Sequence, residues 1–136
     1  MAGKNAALNG LESKITFLES DLFNCFYDSY GEVQRFDIIV SNPPYIPSDE
    51  LGRLPIDVQK EPSLALDGGI DGLDYYRRIA NEGHFFLKKS GLLFLEIGDG
   101  QKKDIEEIFH ENGIWKVLGA IKDYTQTERV LVVRLK

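Results

Sequence analysis

Asn42, Pro43, Pro44 and Tyr45 stand together directly after the apolar run Phe36-Asp37-Ile38-Ile39-Val40-Ser41. The Asn42 carboxamide oxygen and the Pro43 backbone carbonyl are both hydrogen-bond acceptors. Held close on a stiff backbone, such a pair takes both protons of an –NH₂ group and turns the nitrogen lone pair toward an electrophile. The same pair stabilises the positive charge that grows on that nitrogen. The two prolines supply the stiffness, since each fixes φ and removes a backbone donor. Pro43 also pushes Asn42 out of the α region. Tyr45 offers a ring to lie against a flat amide or base. The chemistry that fits is attack by a planar amino nitrogen on a methyl group. The bland reading of the same residues is a proline turn that closes a strand.

The elements around this corner decide where it sits. Residues 36–41 read as a short strand buried on both faces, and Asn42 ends it. That places the four residues at the carboxyl end of a buried strand, where open α/β sheets bind ligands. The stretch from Ile46 to Gly72 carries three further prolines and several glycines. A loop of that length in a small domain is usually functional or disordered. It reads as a wall of the site, with helical turns near 49–54 and 56–60 and with Glu61-Pro62 and Gly68-Gly69 folding it back beside Tyr45.

The rest of the chain is periodic. Met1 to Asn9 reads as the end of a helix closed by Gly10. Residues 15–19 read as a strand that stops at Ser20-Asp21-Leu22-Phe23. Asn24 to Arg35 is polar, with Asp28, Ser29 and Gly31 as turn formers. Asp71 and Gly72 precede a helix whose inward face is Tyr76, Ile79, Ala80, Gly83 and Phe86 or Leu87. Lys88 and Lys89 suit its last turn, and Gly91 ends it. Residues 92–97 read as a second buried strand. Gly98-Asp99-Gly100 lacks the spacing of a dinucleotide loop and reads as the start of a helix with Ile105, Ile108 and Phe109 inward. Strands are expected over 114–121 and 128–135, joined by the polar stretch 122–127.

Composition narrows the function. The 136 residues hold 16 Lys and Arg against 22 Asp and Glu, a net charge of −6. That balance argues against direct nucleic-acid binding, which needs clustered cations, and leaves a protein substrate open. A lone cysteine, Cys25, fits a reducing compartment. One cysteine and two distant histidines, His84 and His110, give no metal-ligand constellation. No run is long enough to span a membrane, and the first residues lack a signal-peptide pattern. The expected location is cytoplasmic.

Ser41 to Ile46 read SNPPYI. Further on stand Glu61-Pro62, Ala65-Leu66-Asp67-Gly68-Gly69, Asp71-Gly72-Leu73, Tyr76-Arg77, Leu95-Glu96-Ile97-Gly98 and Gln101. Asn-Pro-Pro-Tyr resembles the signature of amino-methyltransferases that use S-adenosylmethionine. The whole series resembles the HemK/PrmC family, the release factor glutamine methyltransferases, over essentially the full chain. The resemblance implies transfer of a methyl group from S-adenosyl-L-methionine to the glutamine amide of the Gly-Gly-Gln tripeptide in peptide chain release factors. It implies catalytic roles for Asn42, Pro43, Pro44 and Tyr45. It also implies cofactor contacts from Asp21 and Leu22 to the adenine, and from Asn42. The implied fold is α/β, a Rossmann-like methyltransferase fold, with residues 1–136 as the C-terminal part of one catalytic domain.

Against that pattern, the glycine-rich first strand, the second strand with its ribose-holding acid and the family's N-terminal helical domain are not in the sequence. In the family's sheet those two strands lie between the strand at 15–19 and the strand at 36–41. The expectations that follow are self-association through the uncovered apolar edge at 36–41, or a rearranged N-terminal strand covering it, and weak cofactor binding by this chain alone. Two other functions are open. One is a nucleic-acid amino (adenine N6) methyltransferase, and the other is a non-catalytic interaction remnant.

Overall fold

The computed structural model describes residues 1–27 and 33–136. Asp28, Ser29 and Gly31 lie outside the described residues. The chain forms two compact units, Met1–Val33 and Gln34–Lys136.

In the first unit, helix α1 spans Ala2–Leu8. Gly10 follows at φ +63°. The Gly10 N–H donates to the Ala7 carbonyl and the Leu11 N–H to the Ala6 carbonyl. This is the paired closure that a left-handed glycine makes available at a helix end. The strand expected over 15–19 does not form: these residues are irregular, and Ile15, Phe17 and Leu18 are all exposed. A strand exists through its ladder, and residues 15–19 have no ladder partner among the described residues. Their local preference is therefore not realised. Beyond them, Phe23 is buried, and a 3-10 turn spans Asn24–Phe26.

The second unit is a mixed α/β arrangement. Strands β1 (Phe36–Ser41), β2 (Leu87–Glu96), β3 (Trp115–Lys122) and β4 (Glu128–Leu135) form one sheet in the order β1-β2-β4-β3. β1 and β2 are parallel, while β4 is antiparallel to both β2 and β3. A parallel pair needs a crossover, supplied here by the long loop and helix α3 (Asp74–Phe86). Helix α4 (Lys102–Glu111) packs against α3 and β3.

One face of the sheet is sealed. Leu93 and Leu95 of β2 and Leu131 and Val133 of β4 are fully buried, as are Tyr76, Ile79 and Phe86 of α3, Ile105 and Phe109 of α4, and Trp115. The Trp115 Nε1 donates to the Ala80 carbonyl at 2.8 Å. Its ring meets Phe109 edge-on, with centroids 5.4 Å apart, a favourable aromatic geometry.

Two expectations change here. β1 is not buried on both faces: it is a terminal strand, and Ile38 and Val40 are 56% and 76% exposed. Sealing that face requires a layer packed over β1, and none covers it among the described residues. Lys88, Lys89 and Gly91 do not close a helix. α3 stops at Phe86, and β2 begins at once with the buried Leu87. The Lys88 Nζ then reaches the Asp37 carboxylate on β1 at 2.8 Å. The ladder between β1 and β2 breaks its register between Phe36 and Ile38, beside Ser90 at φ +65°.

Candidate active site

Asn42 to Tyr45 leave the end of β1 as an extended segment. Pro43 is buried, Pro44 and Tyr45 are half-buried, and Asn42 is exposed. The buried ring anchors the segment, while the residue before it stays open. No described residue donates a hydrogen bond to the Asn42 carboxamide, so its acceptor is free for a ligand.

The loop after Tyr45 folds back as the glycines suggest. The Ile46 N–H donates to the Leu66 carbonyl at 3.0 Å, the Gly68 N–H to the Ile46 carbonyl at 2.8 Å, and the Ser48 N–H to the Gly69 carbonyl at 2.9 Å. These bonds form a short parallel bridge between Ile46 and Asp67. The Asp67 carboxylate accepts from the Ser48 hydroxyl at 2.7 Å and from the Gly69 N–H at 2.9 Å. Both bonds hold its pKa below the usual carboxylate range, the hydroxyl contributing most. Within the loop stand 3-10 turns at Leu51–Arg53 and Ser63–Ala65 and the single helical turn α2 (Ile56–Gln59). The loop's far end is clamped by Arg77, whose guanidinium pairs with both Asp71 oxygens and reaches Asp74. Bonding to Arg77 lowers the Asp71 pKa.

A cavity of about 440 Å³ opens beside Tyr45. Ile46, Pro47, Glu50 and Leu54 line it from the loop, together with Asp71, and Gly98 to Gln101 line it from the turn after β2. It sits at the carboxyl ends of β1 and β2, in keeping with the general rule for open α/β sheets. Asn42 is not among its lining residues.

Two residues tie the strand tips together. The Gln101 Nε2 donates to the Tyr45 carbonyl at 2.9 Å. Tyr76, fully buried, donates its hydroxyl to the Glu96 carbonyl at 2.8 Å. Burial, with Tyr45 and Glu96 nearby, pushes the Tyr76 pKa well above that of a free phenol. Tyr76 reads as core from its helical spacing, whereas nothing local to Gln101 signals its contact with Tyr45. The close approach of Gly72 and Gly98 to Tyr45 was the available signal, but it is silent without coordinates. Asp21 and Leu22 belong to the Met1–Val33 unit. Asp21 is exposed, and Leu22 is half-buried at φ +49°. Among the described residues, no cluster of His, Cys, Asp and Glu could hold a metal ion.

Comparison with known proteins gives this geometry its context. A release factor glutamine methyltransferase of Agrobacterium fabrum is 46% identical over 98% of this chain and 44% of its own length. The chain is related to the release factor glutamine methyltransferases, and it matches their C-terminal portion. Another relative, a ribosomal protein uL3 glutamine methyltransferase of Bradyrhizobium diazoefficiens, is 38% identical over 82% of the chain and 33% of its own length. A solved protein-(glutamine-N5) methyltransferase of Alicyclobacillus acidocaldarius aligns over 75% of this chain and 50% of its own, at 28% identity and a TM-score of 0.48. No protein-family model matches the chain. The chain spans less than half the length of the curated relatives it matches.

Proposed function

We propose that this chain carries the substrate-holding part of a protein-(glutamine-N5) methyltransferase, as the C-terminal part of its catalytic domain, with S-adenosyl-L-methionine as donor. The acceptor is the glutamine amide of the Gly-Gly-Gln tripeptide in peptide chain release factors, and the setting is the cytoplasm. One observation carries the reading. At the end of β1 the Asn42 carboxamide is exposed and has no hydrogen-bond partner among the described residues, while the buried Pro43 fixes the backbone behind it.

In this scheme the Asn42 oxygen and the Pro43 carbonyl accept the two amide protons of the substrate glutamine. An amide nitrogen is a poor nucleophile because its lone pair is delocalised. Two fixed acceptors favour charge on nitrogen, and fixed dipoles of this kind are commonly worth about 10²–10³ in rate. Tyr45 lies against the amide plane. The bound cofactor supplies a methyl group made electrophilic by its sulfonium. Orientation of the reactants supplies much of the rest, on the order of 7–11 kcal/mol in favourable cases. Asp49, Glu50 and Glu61 receive no role as a base, because the N-methylated amide loses its proton readily. For the adenine end of the cofactor the scheme assigns Asp21, whose carboxylate would accept from the amino group, and Leu22, whose aliphatic side chain would cover the ring.

The test replaces the matching segment of the Agrobacterium fabrum relative with this chain. Labelled methyl transfer is then measured to a release factor, to ribosomal protein uL3 and to DNA. The proposal expects label on the release factor glutamine. Label on uL3 alone would move the substrate to the second relative's protein. Label on DNA alone would favour the nucleic-acid amino-methyltransferase, against which the acidic balance of the chain stands. Label on none, with the unaltered relative active, would leave the non-catalytic interaction domain.

A further inference from the structure

Gln101 sits in the turn before α4, 56 residues from Tyr45 in sequence, yet its Nε2 donates to the Tyr45 carbonyl at 2.9 Å. Its Oε1 is buried without a hydrogen-bond partner. A buried acceptor left unpaired is unfavourable. An apolar side chain of the same length would fill this space without stranding one. Packing therefore gives no reason for an amide here, whereas the bond to Tyr45 does. That bond also fixes which way the amide faces, since the opposite orientation would set two acceptors against each other.

The surroundings are shaped for this grip. A Cβ on Gly72 would lie 2.4 Å from the Tyr45 oxygen and 2.7 Å from the Gln101 Nε2. On Gly68 it would lie 2.8 Å from the Tyr45 Cα, and on Gly98 it would lie 2.4 Å from the Gln101 Oε1 and 3.1 Å from the Tyr45 ring. Three glycines from two separate turns thus let backbone and amide close on one residue.

We infer that Gln101 is a positioning residue for the corner at Asn42–Tyr45. Pro43 and Pro44 fix their own φ angles, and the Ile46 N–H bond to the Leu66 carbonyl holds one side of the peptide after Tyr45. Gln101 holds the other side, the Tyr45 carbonyl, and so keeps Tyr45 seated with its ring beside Gly98. The role rests on reading the corner as the holder of a substrate amide, but the grip itself is geometric and is tested without any methyl transfer.

The experiment uses the full chain with labelled tyrosine rings and glycine α-carbons. It compares wild type with Gln101→Met, which keeps the length and loses the donor, and Gln101→Glu, which keeps the shape and sets an acceptor against the Tyr45 carbonyl. Wild type should give a proton cross-relaxation peak between the Tyr45 ring and the Gly98 α-protons. Both variants should lose it, while the single indole signal, from Trp115, and the melting temperature hold. Persistence of the peak in both variants, or its absence in wild type, overturns the inference. So does a parallel loss of the Trp115 signal and of melting temperature, which would make Gln101 a structural support. Should Gln101→Met fail to fold, Gln101→Glu decides. A chain that keeps the peak yet transfers no methyl group once grafted into the relative refutes the functional reading and leaves the grip standing.

Discussion

Gly72→Ala tests the packing that holds Tyr45. Gly72 has φ +75°, where an L-residue pays about 1–2 kcal/mol. The new methyl would also stand 2.4 Å from the Tyr45 carbonyl oxygen and 2.7 Å from the Gln101 Nε2. Relief requires those two groups to part, and losing a buried hydrogen bond of this kind costs about 1–3 kcal/mol. The expected total is about 2–5 kcal/mol. Gly100→Ala is the control, since Gly100 has φ +78° but nothing within 4 Å of its would-be Cβ. It should lose only the backbone part, about 1–2 kcal/mol. Urea unfolding at fixed pH reads both, and the m-value should be unchanged if the unfolded state is unaffected. The difference between the two variants isolates the contact at Tyr45. Equal losses would refute the reasoning, because the Gly72–Tyr45–Gln101 contact would then contribute nothing.

Val40→Lys places a charge on the open face of β1, where Val40 is 76% exposed, and charge on an edge strand blocks pairing between sheets. Sedimentation should show wild-type chain associating with rising concentration and the variant remaining monomeric; a monomeric wild type would contradict self-association through this edge. Calorimetry of the chain with S-adenosyl-L-methionine should show no micromolar binding, and a micromolar Kd would overturn that expectation. Asp71 has its pKa lowered in the folded state by Arg77, so its contribution is present above the unfolded carboxylate pKa and is lost as pH falls through the lower, folded value. The pair is exposed and worth no more than about 1 kcal/mol. Melting curves should show wild type losing slightly more stability on acidification than Arg77→Ala, and identical profiles would refute the pairing.

The sequence was most legible where period and burial agree. The α3 stripe Tyr76, Ile79, Ala80, Gly83 and Phe86 is buried as its spacing implies, and β4 covers 128–135 as expected. It was least legible where an element depends on a distant partner. Residues 15–19 have strand-like side chains but no ladder. Ile38 and Val40 are as apolar as a sealed strand requires, yet exposure is decided by what packs over the strand and not by the residue. The boundary at Phe86 carries no glycine or proline, so Lys88 and Lys89 read as a helix end until β2 claims them. The corner at Asn42–Tyr45 was visible because prolines act locally. The hold on it by Gln101 was not, because that contact joins residues far apart in the chain.

In the proposed function Asn42 holds the substrate NH₂ group. The most direct measurement is the turnover of the grafted enzyme on a release factor, with Asn42 intact and with Asn42→Ala. Removing a fixed acceptor should lower kcat by about 10²–10³, with the melting temperature unchanged because Asn42 is exposed and makes no side-chain bond among the described residues. An Asn42→Ala enzyme that methylates the glutamine at the rate of its parent would contradict the account.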